Sequence, residues 1–515
     1  MTLARPSPGS GVATAWLPCL GLLSLALLLL LSWQLPLLEA HSFRQTQTAI
    51  SSYWMAEGGP WLAYQTPVLG APWSIPFEFP LFQWLALGLA NLLPLNLDQS
   101  GRLLSGLFAL ATLWPLRHAI LAVTGDRTLA NLASGVLLLS PLVAFWSRAF
   151  MIESAAVFLS MSFLALVIEA VRRPRPWVLG ALVVAACLAA LVKITTFVGF
   201  ALVAGCFVAV DLARQLRSDA SPGAMAALRA GLPAAFAVVA ALLVTLLWIG
   251  FGDALKQQTL WGHLLGSENL KTWNYGTWQQ KTSSLLWKDV AFGRAAREIF
   301  GHALVLPAAI LVLAAWGRGL RALGGVLLLG YLAPFFLFAN LHIVHNYYQV
   351  ANAPFALALV ACALAVPWRG GRAWLGLAAT IVVAATMLFG LKRDFLPLLD
   401  ASRLAQRTPV LAAYARANTA PDEVLLAFGL EWSSEVPYYA TRRAMMVIDP
   451  TPVEVLRRMR TDPASYAGTH RVGMVIVCAN ALAARPDAQA DYQALIQAAT
   501  AGLPRHRVAG CDVFH

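Results

Sequence analysis

The residues that stand out chemically are charged and amide side chains that interrupt long apolar runs. Near the N-terminal end these are the segment His41–Thr48, which follows an apolar run, and the acid Glu78. Further along are Ser147–Glu153 and His342–Gln349, and Lys193 stands alone between apolar stretches. Carboxylates and histidines can take protons, and arginines and lysines can hold anions. Because ionisable groups beside a bilayer are costly, these segments are the candidate functional residues.

The composition indicates the environment in which these residues lie. The chain has 515 residues, of which 59% are hydrophobic and only 12% are charged, and its mean hydropathy is +0.66. Soluble domains carry about 25% charged residues, so the sequence predicts a polytopic, mostly α-helical membrane protein. The formal net charge of +12 does not indicate a nucleic-acid partner. Most arginines lie in short runs between apolar segments, as the positive-inside rule describes.

The apolar segments predict about eleven (11–13) transmembrane helices. They lie near residues 16–38, 103–121, 128–145, 153–171, 177–192, 195–213, 231–251, 302–316, 324–340, 352–367 and 374–391. The basic residues assigned to the cytoplasmic side are Arg5, Arg117, Arg127, Arg172, Arg173, Arg175, Arg214, Arg217, Arg229, Arg318, Arg321, Arg369 and Arg372. This assignment puts the N-terminus inside, the C-terminus outside, and long external loops at 39–101 and 252–301. The apolar segment 81–94 is short for a span and fits a juxtamembrane or re-entrant helix better, although a span at 81–97 remains the alternative.

The tail differs in character from the rest of the chain. Short β-like runs at Val424–Phe428, Ala444–Ile448 and Val472–Val477 alternate with helix-forming stretches. This alternation predicts a small extracytoplasmic α/β domain over residues 392–515, following a transmembrane module over 1–391. Cys478 and Cys511 lie in this tail, where an oxidising compartment would permit a disulfide. In the loop 252–301, tryptophans and lysines suit either an interface anchor or a platform for a lipid phosphate or sugar.

Four of the polar segments, taken in order, resemble a family pattern. They are Phe43-Arg44-Gln45-Thr46-Gln47-Thr48-Ala49, Glu78-Phe79-Pro80-Leu81-Phe82, Ser147-Arg148 followed by Glu153, and His345-Asn346-Tyr347-Tyr348. Together they resemble the motifs of the GT-C superfamily of membrane glycosyltransferases, in the bacterial group related to protein O-mannosyltransferases and lipid A aminoarabinose transferases. The resemblance covers residues 16–350 and is weak in the tail. Relatives often carry an aspartate early in the first loop, where this chain has His41 and Gln47.

This resemblance implies transfer of a sugar from a polyprenyl-phosphate donor. Such a transfer needs a base for the acceptor hydroxyl proton and cations for the phosphate leaving group. Glu78 is the expected base, with Glu39 and His41 as further catalytic candidates. The residues expected to bind the donor phosphate or sugar are Arg44, Gln45, Gln47, Arg148, Glu153, Lys193, His345, Asn346, Tyr347 and Tyr348. No metal ligand set is predicted, because the carboxylates are scattered, although a divalent cation remains compatible with the sequence.

Several of these residues also have a plainer structural interpretation. Arg148 and Glu153 could form a local ion pair at the interface, and Lys193 could extend along the apolar surface to reach the head groups. Tyr347 and Tyr348 could be interface aromatics. In favour of function, the polar groups all fall on one side under a topology that was derived from the arginines.

We therefore interpret the chain as a GT-C glycosyltransferase of the bacterial inner membrane, with its active site and C-terminal domain in the periplasm. Its partners would be a polyprenyl-phosphate sugar donor and a lipid, glycan or protein acceptor. Lipopolysaccharide modification is an example of the process that it would serve. The alternative is a transporter or flippase of a lipid-linked saccharide. Transporters typically show internal repeats and midplane polar sites, which this sequence does not suggest. A non-catalytic assembly protein would require Glu78 and Arg148 to be dispensable.

The topology is tested by cysteine labelling after residue 392, which should report an extracytoplasmic tail because the arginines alternate across an odd number of spans. Labelling at Asn96–Ser100 should report the same side. A cytoplasmic tail would contradict the topology, and a cytoplasmic Asn96–Ser100 would restore the span at 81–97.

Overall fold

The computed structural model describes residues 10–216, 223–448, 451–479 and 487–515, which form two compact units. We call residues 1–34, 102–248 and 271–397 the helical unit, and residues 35–101, 249–270 and 398–515 the α/β unit. The domain boundary predicted between residues 391 and 392 stays a prediction. Of the predicted cytoplasmic residues, Arg5 and Arg217 lie outside the described residues.

The helical unit is built from apolar helices joined by short connections. Its α-helices are Ser10–Ala13, Trp16–Ser32, Leu97–Thr124, Arg127–Leu139, Pro141–Trp146, Glu153–Arg172, Pro176–Leu216, Gly223–Lys256, Lys271–Tyr275, Trp278–Thr282, Ala296–Phe300, Val305–Trp316, Arg321–Leu337, Ala339–Val344, Ala353–Arg369 and Ala373–Gly390. Leu285–Ala295 and Leu391–Phe395 are π-helical, and Asn346–Ala351 is a 3₁₀-helix. The multi-pass, mostly helical architecture is confirmed.

The predicted count of eleven spans is not confirmed. Within the described ranges six helices are long and apolar enough to cross a membrane, or seven if Leu285–Phe300 and Val305–Trp316, bent by 96°, form one broken span. Three predicted spans correspond to helices of 13 to 17 residues, Arg127–Leu139, Arg321–Leu337 and Ala353–Arg369, and a straight span needs about 20. Two others are merged in the kinked helix Pro176–Leu216. Apolar runs therefore located the helices, but helix lengths do not support one span for each run.

Polar side chains fix the ends of the helices that lead to the Ser147–Glu153 segment. Asp126 caps Arg127–Leu139 by accepting a bond from the Leu129 N–H at 3.1 Å, and it pairs with Arg369 at 2.8 Å. Ser140 caps Pro141–Trp146, and its hydroxyl donates to the carbonyl oxygen of Ile299 at 2.8 Å. Because helix ends leave backbone groups without partners, these bonds set where each helix begins. The short helix before Ser147 is thereby held in place.

The α/β unit contains a five-stranded sheet, so the predicted α/β fold of the tail is confirmed. Its strands are β1 Val424–Phe428, β2 Arg443–Val447, β3 Val472–Val477, β4 Arg505–Val508 and β5 Cys511–Phe514, in the order β2-β1-β3-β5-β4. The strands β2, β1 and β3 are parallel, β5 is antiparallel to β3, and β4 is antiparallel to β5. The helices of this unit are Ser42–Ala56, Leu81–Leu92, Leu396–Leu404, Arg407–Asn418, Glu435–Ala440, Val453–Thr461, Ala464–Ala467 and Gln489–Thr500, and Gly262–Leu265 is a 3₁₀-helix. Cys478 and Cys511 form a disulfide.

The segment 39–101, predicted as an external loop with a short helix at 81–94, contains two helices. Ser42–Ala56 is a helix, and Leu81–Leu92 is a helix of 12 residues, which is short for a span. Between them the chain runs along the edge strand β2, where Pro67 O and Val68 O accept bonds from the backbone N–H groups of Ala444 and Met446 at 2.9 Å. An uncovered edge strand would present free backbone groups. The segment therefore completes the sheet of the tail.

A close backbone approach in the helical unit gives a test of the fold. Gly301 ends the helix Ala296–Phe300 at φ +78°, and a Cβ there would clash with the Thr386 carbonyl oxygen. We expect Gly301→Ala to cost about 1–3 kcal/mol from backbone strain alone and to lower the unfolding temperature in detergent. Gly250→Ala is the control, because a Cβ there has open space within 4 Å. Equal unfolding temperatures for the two variants would contradict this packing.

Candidate functional site

The structure gathers the candidate residues into two clusters, one in each unit. The Glu78 cluster, in the α/β unit, consists of Glu39, His41, Arg44, Gln45, Gln47 and Glu78. The Lys193 cluster, in the helical unit, consists of Arg148, Glu153, Lys193, His345, Asn346, Tyr347 and Tyr348.

The Glu78 cluster is organised around an ion pair. Arg44 Nη2 donates to Glu78 Oε1 at 2.5 Å, and Arg44 Nη1 donates to Gln47 Oε1 at 2.5 Å. Arg44 and Gln47 are three residues apart on the helix Ser42–Ala56, so their side chains share one face. A guanidinium at this distance favours the ionised form of a carboxylate, which is the form that can take a proton. The Glu78 side chain is 28% exposed, so it remains accessible.

Tyr64 fixes the backbone on which Glu78 lies. Its hydroxyl donates to the Glu78 carbonyl oxygen at 3.0 Å and accepts a bond from the Phe77 N–H at 2.7 Å. Burial raises the pKa of Tyr64, and the nearby Glu78 carboxylate raises it further. Tyr64 therefore stays a neutral phenol, which can donate one of these bonds and accept the other.

The other members of the Glu78 cluster are more buried or serve the backbone. Glu39 is only 2% exposed. It lies near Tyr439, whose pKa is raised mainly by burial, then by the Asp98 carboxylate and to a smaller extent by Glu39. Gln45 is fully buried and donates to the Ala40 carbonyl oxygen at 3.2 Å. His41 has φ 53° at the residue before the helix Ser42–Ala56. Exposure thus favours Glu78 over Glu39 as the reactive acid.

Residues from the tail complete this cluster, and no local pattern in the sequence predicted them. The Trp432 ring lies 4.9 Å from the Phe43 ring and 5.9 Å from the Phe77 ring. The Glu435 carboxylate accepts a bond from the Ser42 hydroxyl at 2.6 Å. These contacts join residues 355 to 393 positions apart in the chain, which is why motif spacing could not predict them.

Lys256 is a second cation near Glu78 that the site prediction omitted. Its Nζ lies 5.1 Å from the centre of the Phe77 ring and 3.4 Å from Asp253 Oδ1. Lys256 is the last residue of the long apolar helix Gly223–Lys256. A lysine at the end of an apolar helix is the signal that could have identified it.

The Lys193 cluster is organised around a buried ion pair. Lys193 Nζ donates to Glu153 Oε1, and the two side chains are only 5% and 3% exposed. Lys193 has non-helical angles, φ −163° and ψ 93°, and interrupts the helix Pro176–Leu216. The side chain therefore does not extend to the interface as one interpretation suggested. The break in the helix places it against Glu153.

Glu153, which the sequence suggested as a partner of Arg148, forms an ion pair with Lys193. The acidic partner of Lys193 is Glu153, and the Arg148 guanidinium instead lies 4.1 Å from the centre of the Phe145 ring. Arg148 is completely buried. Closeness in sequence suggested the pair. In the structure Arg148 lies within the turn Ser147–Ile152, and Glu153 is the first residue of the helix Glu153–Arg172.

The aromatic motif lies over the lysine of this pair. Lys193 Nζ is 4.1 Å from the centre of the Tyr348 ring and 5.3 Å from that of Tyr347. The rings of Tyr347 and Tyr348 stack at 4.9 Å, and the His345 ring stacks on Tyr347 at 5.2 Å. Cations over aromatic faces are attracted by the ring quadrupole. The tyrosines therefore contact the buried cation and are not simple interface aromatics.

A metal centre is not apparent in either cluster. Within the described ranges, no group of three or more His, Cys, Asp or Glu side chains is placed to hold a metal ion.

The Lys193–Glu153 pair gives a prediction about stability. Lys193→Met leaves the Glu153 carboxylate buried without its cation, so we expect a loss of about 3–5 kcal/mol in the free energy of unfolding. Adding Glu153→Gln should recover most of this loss, because the uncompensated charge is removed. Arg403→Met is the control, since Arg403 and Asp400 form an exposed pair worth about 0–1 kcal/mol. If Lys193→Met alone is as stable as the wild type in thermal unfolding, the prediction is wrong and the pair is not buried.

Comparison with known proteins supports the fold. The sequence matches no protein-family model and no curated protein. The structure is similar to ArnT from Cupriavidus metallidurans bound to undecaprenyl phosphate, with a TM-score of 0.66, 16% identity and 98% of each chain covered. It is also similar to the archaeal oligosaccharyltransferase AglB from Archaeoglobus fulgidus, solved with an inhibitory peptide and a dolichol-phosphate, with a TM-score of 0.55, 12% identity, and 89% and 69% of the two chains covered.

A third similar structure is the arabinofuranosyltransferase AftD from Mycobacteria, with a TM-score of 0.53 and 17% identity. The match covers 98% of this chain and 38% of AftD. The chain therefore shares its fold with these three structures, which agrees with the fold that the motif resemblance implied.

Proposed function

We propose that the chain is an integral-membrane glycosyltransferase that moves a sugar from a polyprenyl-phosphate donor to a hydroxyl group of a lipid, glycan or protein. The observation that carries the proposal is the partly exposed Glu78 carboxylate, held by Arg44 at 2.5 Å. A carboxylate fixed in this way is ready to act as a general base. The fold is consistent with this, since two similar structures contain undecaprenyl phosphate and a dolichol-phosphate.

In the proposed reaction the acceptor hydroxyl attacks the anomeric carbon of the sugar, and its proton passes to the Glu78 carboxylate. The bond between the anomeric carbon and the phosphate oxygen breaks, and polyprenyl phosphate leaves with the electron pair. Arg44 keeps Glu78 oriented through its second bond to Gln47. Tyr64 holds the backbone of the same segment.

Negative charge develops on the leaving phosphate, so a nearby cation would lower the barrier. We propose that Arg148 binds the donor phosphate, because a guanidinium can bind a phosphate through two hydrogen bonds. Lys193 is a weaker candidate, since its charge is balanced by Glu153. We propose that Lys193 and Glu153 position Tyr347 and Tyr348, whose hydroxyl groups can bond to a phosphate or a sugar.

We expect the reaction on the periplasmic face of the bacterial inner membrane, because the predicted topology puts both clusters outside. The acceptor and the sugar, a hexose or a pentose, are to be found by experiment. The purified full-length protein is incubated with a panel of polyprenyl-phosphate sugars, and release of polyprenyl phosphate is measured. Release from one donor or a few supports the proposal, and intact donors across the panel in the presence of lipid, glycan and protein acceptors would contradict it.

Glu78→Gln tests the assigned base. The substitution keeps the size of the side chain and removes its basicity, so we expect turnover to fall by about 10²–10⁴-fold with little change in the amount of folded protein. Glu57→Gln is the matched control, because Glu57 is exposed and follows the same helix, Ser42–Ala56. Turnover of Glu78→Gln equal to that of the control would move the base to another residue, with Glu39 next in order.

A further inference from the structure

A long apolar groove in the helical unit takes no part in either cluster. It lies between the helices Val305–Trp316, Ala353–Arg369 and Ala373–Gly390 and has a volume of about 730 Å³. Its walls are mostly Ala, Val and Leu side chains, and its only polar side chains among the described residues are His302, Thr386 and Arg393. The Thr386 hydroxyl donates to the Val382 carbonyl oxygen of its own helix. The walls therefore offer little to water and suit a hydrocarbon chain.

The length of the groove follows from the helix that forms one wall. The lining residues Ala379, Val382, Thr386, Phe389 and Arg393 recur every three or four positions, so they share one helical face. From Ala379 to Arg393 the helical rise amounts to about 21 Å. One leaflet of a bilayer has about 15 Å of hydrocarbon, half of its apolar core. The groove can therefore hold one lipid chain over the full depth of a leaflet.

One end of the groove is cationic. Arg393 Nη2 donates to the Gly301 carbonyl oxygen at 3.0 Å and to Asp394 Oδ2 at 2.6 Å. Arg297 lies 3.7 Å from the same carboxylate and is half exposed. Three arginines, Arg294, Arg297 and Arg393, lie near two carboxylates, Asp394 and Glu298, so this end carries a net positive charge. His302 Nδ1 accepts the Leu304 N–H at 3.2 Å, which leaves the Nε2–H of His302 as a donor.

We infer that this groove binds an anionic phospholipid of the surrounding bilayer, with one acyl chain along the walls and the phosphate at Arg393 and His302. A chain that moves from the bilayer into the groove passes from one apolar medium to another, so the walls give little preference among lipids. The preference must come from the cations, as in the basic pockets between helices that bind anionic head groups. The groove shares no residue with the Glu78 and Lys193 clusters, so the inference does not depend on the proposed function.

The test is native mass spectrometry of the full-length protein in detergent, with phosphatidylglycerol and phosphatidylcholine of the same acyl chains. We expect phosphatidylglycerol to be retained in preference, and Arg393→Gln to reduce its retention by about fivefold, the effect of one interfacial cation. Arg403→Gln is the control, because Arg403 pairs with an acidic neighbour as Arg393 does but lies outside the groove. Equal retention of the two lipids by the wild type, or equal retention of phosphatidylglycerol by the two arginine variants, would overturn the inference.

A second pair of variants tests the groove itself. Ala308 is exposed and lines the groove, so Ala308→Trp should fill it and abolish retention of phosphatidylglycerol. Ala314→Trp, at an exposed position outside the groove on the same helix, should retain the lipid. Equal retention by both tryptophan variants would overturn the inference. Displacement of phosphatidylglycerol by equimolar undecaprenyl phosphate would also overturn it, because the groove would then belong to the donor. If Ala308→Trp does not fold, the arginine pair decides.

Discussion

The charges of Lys193 and Glu153 are almost completely removed from water. The helix break at Lys193 and the position of Tyr347 and Tyr348 both depend on this ion pair. Moving one ion into an apolar interior costs several kcal/mol even after relaxation, and only a close partner offsets the cost. The partner here comes from the start of another helix, and Lys193 reaches it because its own helix is interrupted at that residue. The faces of Tyr347 and Tyr348 then cover the lysine. The ion pair, the helix break and the aromatic motif thus form one structural unit.

The α/β unit meets a different requirement, which is to hold a carboxylate in place without burying it. Glu78 lies in a segment with little regular structure of its own. Tyr64 bonds its backbone, Arg44 bonds its side chain, and Trp432 packs against Phe77 next to it. The same stretch of chain follows the edge of the sheet at β2. The geometry of the proposed base therefore depends on a sheet whose strands come from the far end of the sequence.

The sequence predicted what is local and missed what depends on distant partners. Apolar runs located the long helices and the buried strands β1, β2 and β3, because burial requires such runs. The strand β4, Arg505–Val508, has three exposed residues out of four and carries no such signal. The helix Ser42–Ala56 buries Gln45, Thr46, Gln47 and Thr48, so its polar sequence lacks the apolar periodicity that predicts a helix.

The candidate site follows the same rule. The motifs identified Arg44, Glu78 and Lys193 by residue type, since few chemistries explain such groups at a membrane. They could not show that Glu153 would pair with Lys193, because that contact depends on the break in the helix Pro176–Leu216. Trp432 and Glu435 reach the Glu78 cluster only through the fold of the tail.

The edge pairing between the segment near Leu69 and strand β2 has a consequence for the order of assembly. Leu69 and Met445 form an isolated β-bridge. During synthesis on the ribosome, Leu69 is added to the chain long before Met445. At about 5–20 residues per second, the delay is about 20 to 75 seconds. During that time the segment that carries Glu78 lacks the strand on which it rests. Loss of the final hundred residues would therefore do more than remove an appendage, because the N-terminal segment would be left without its template.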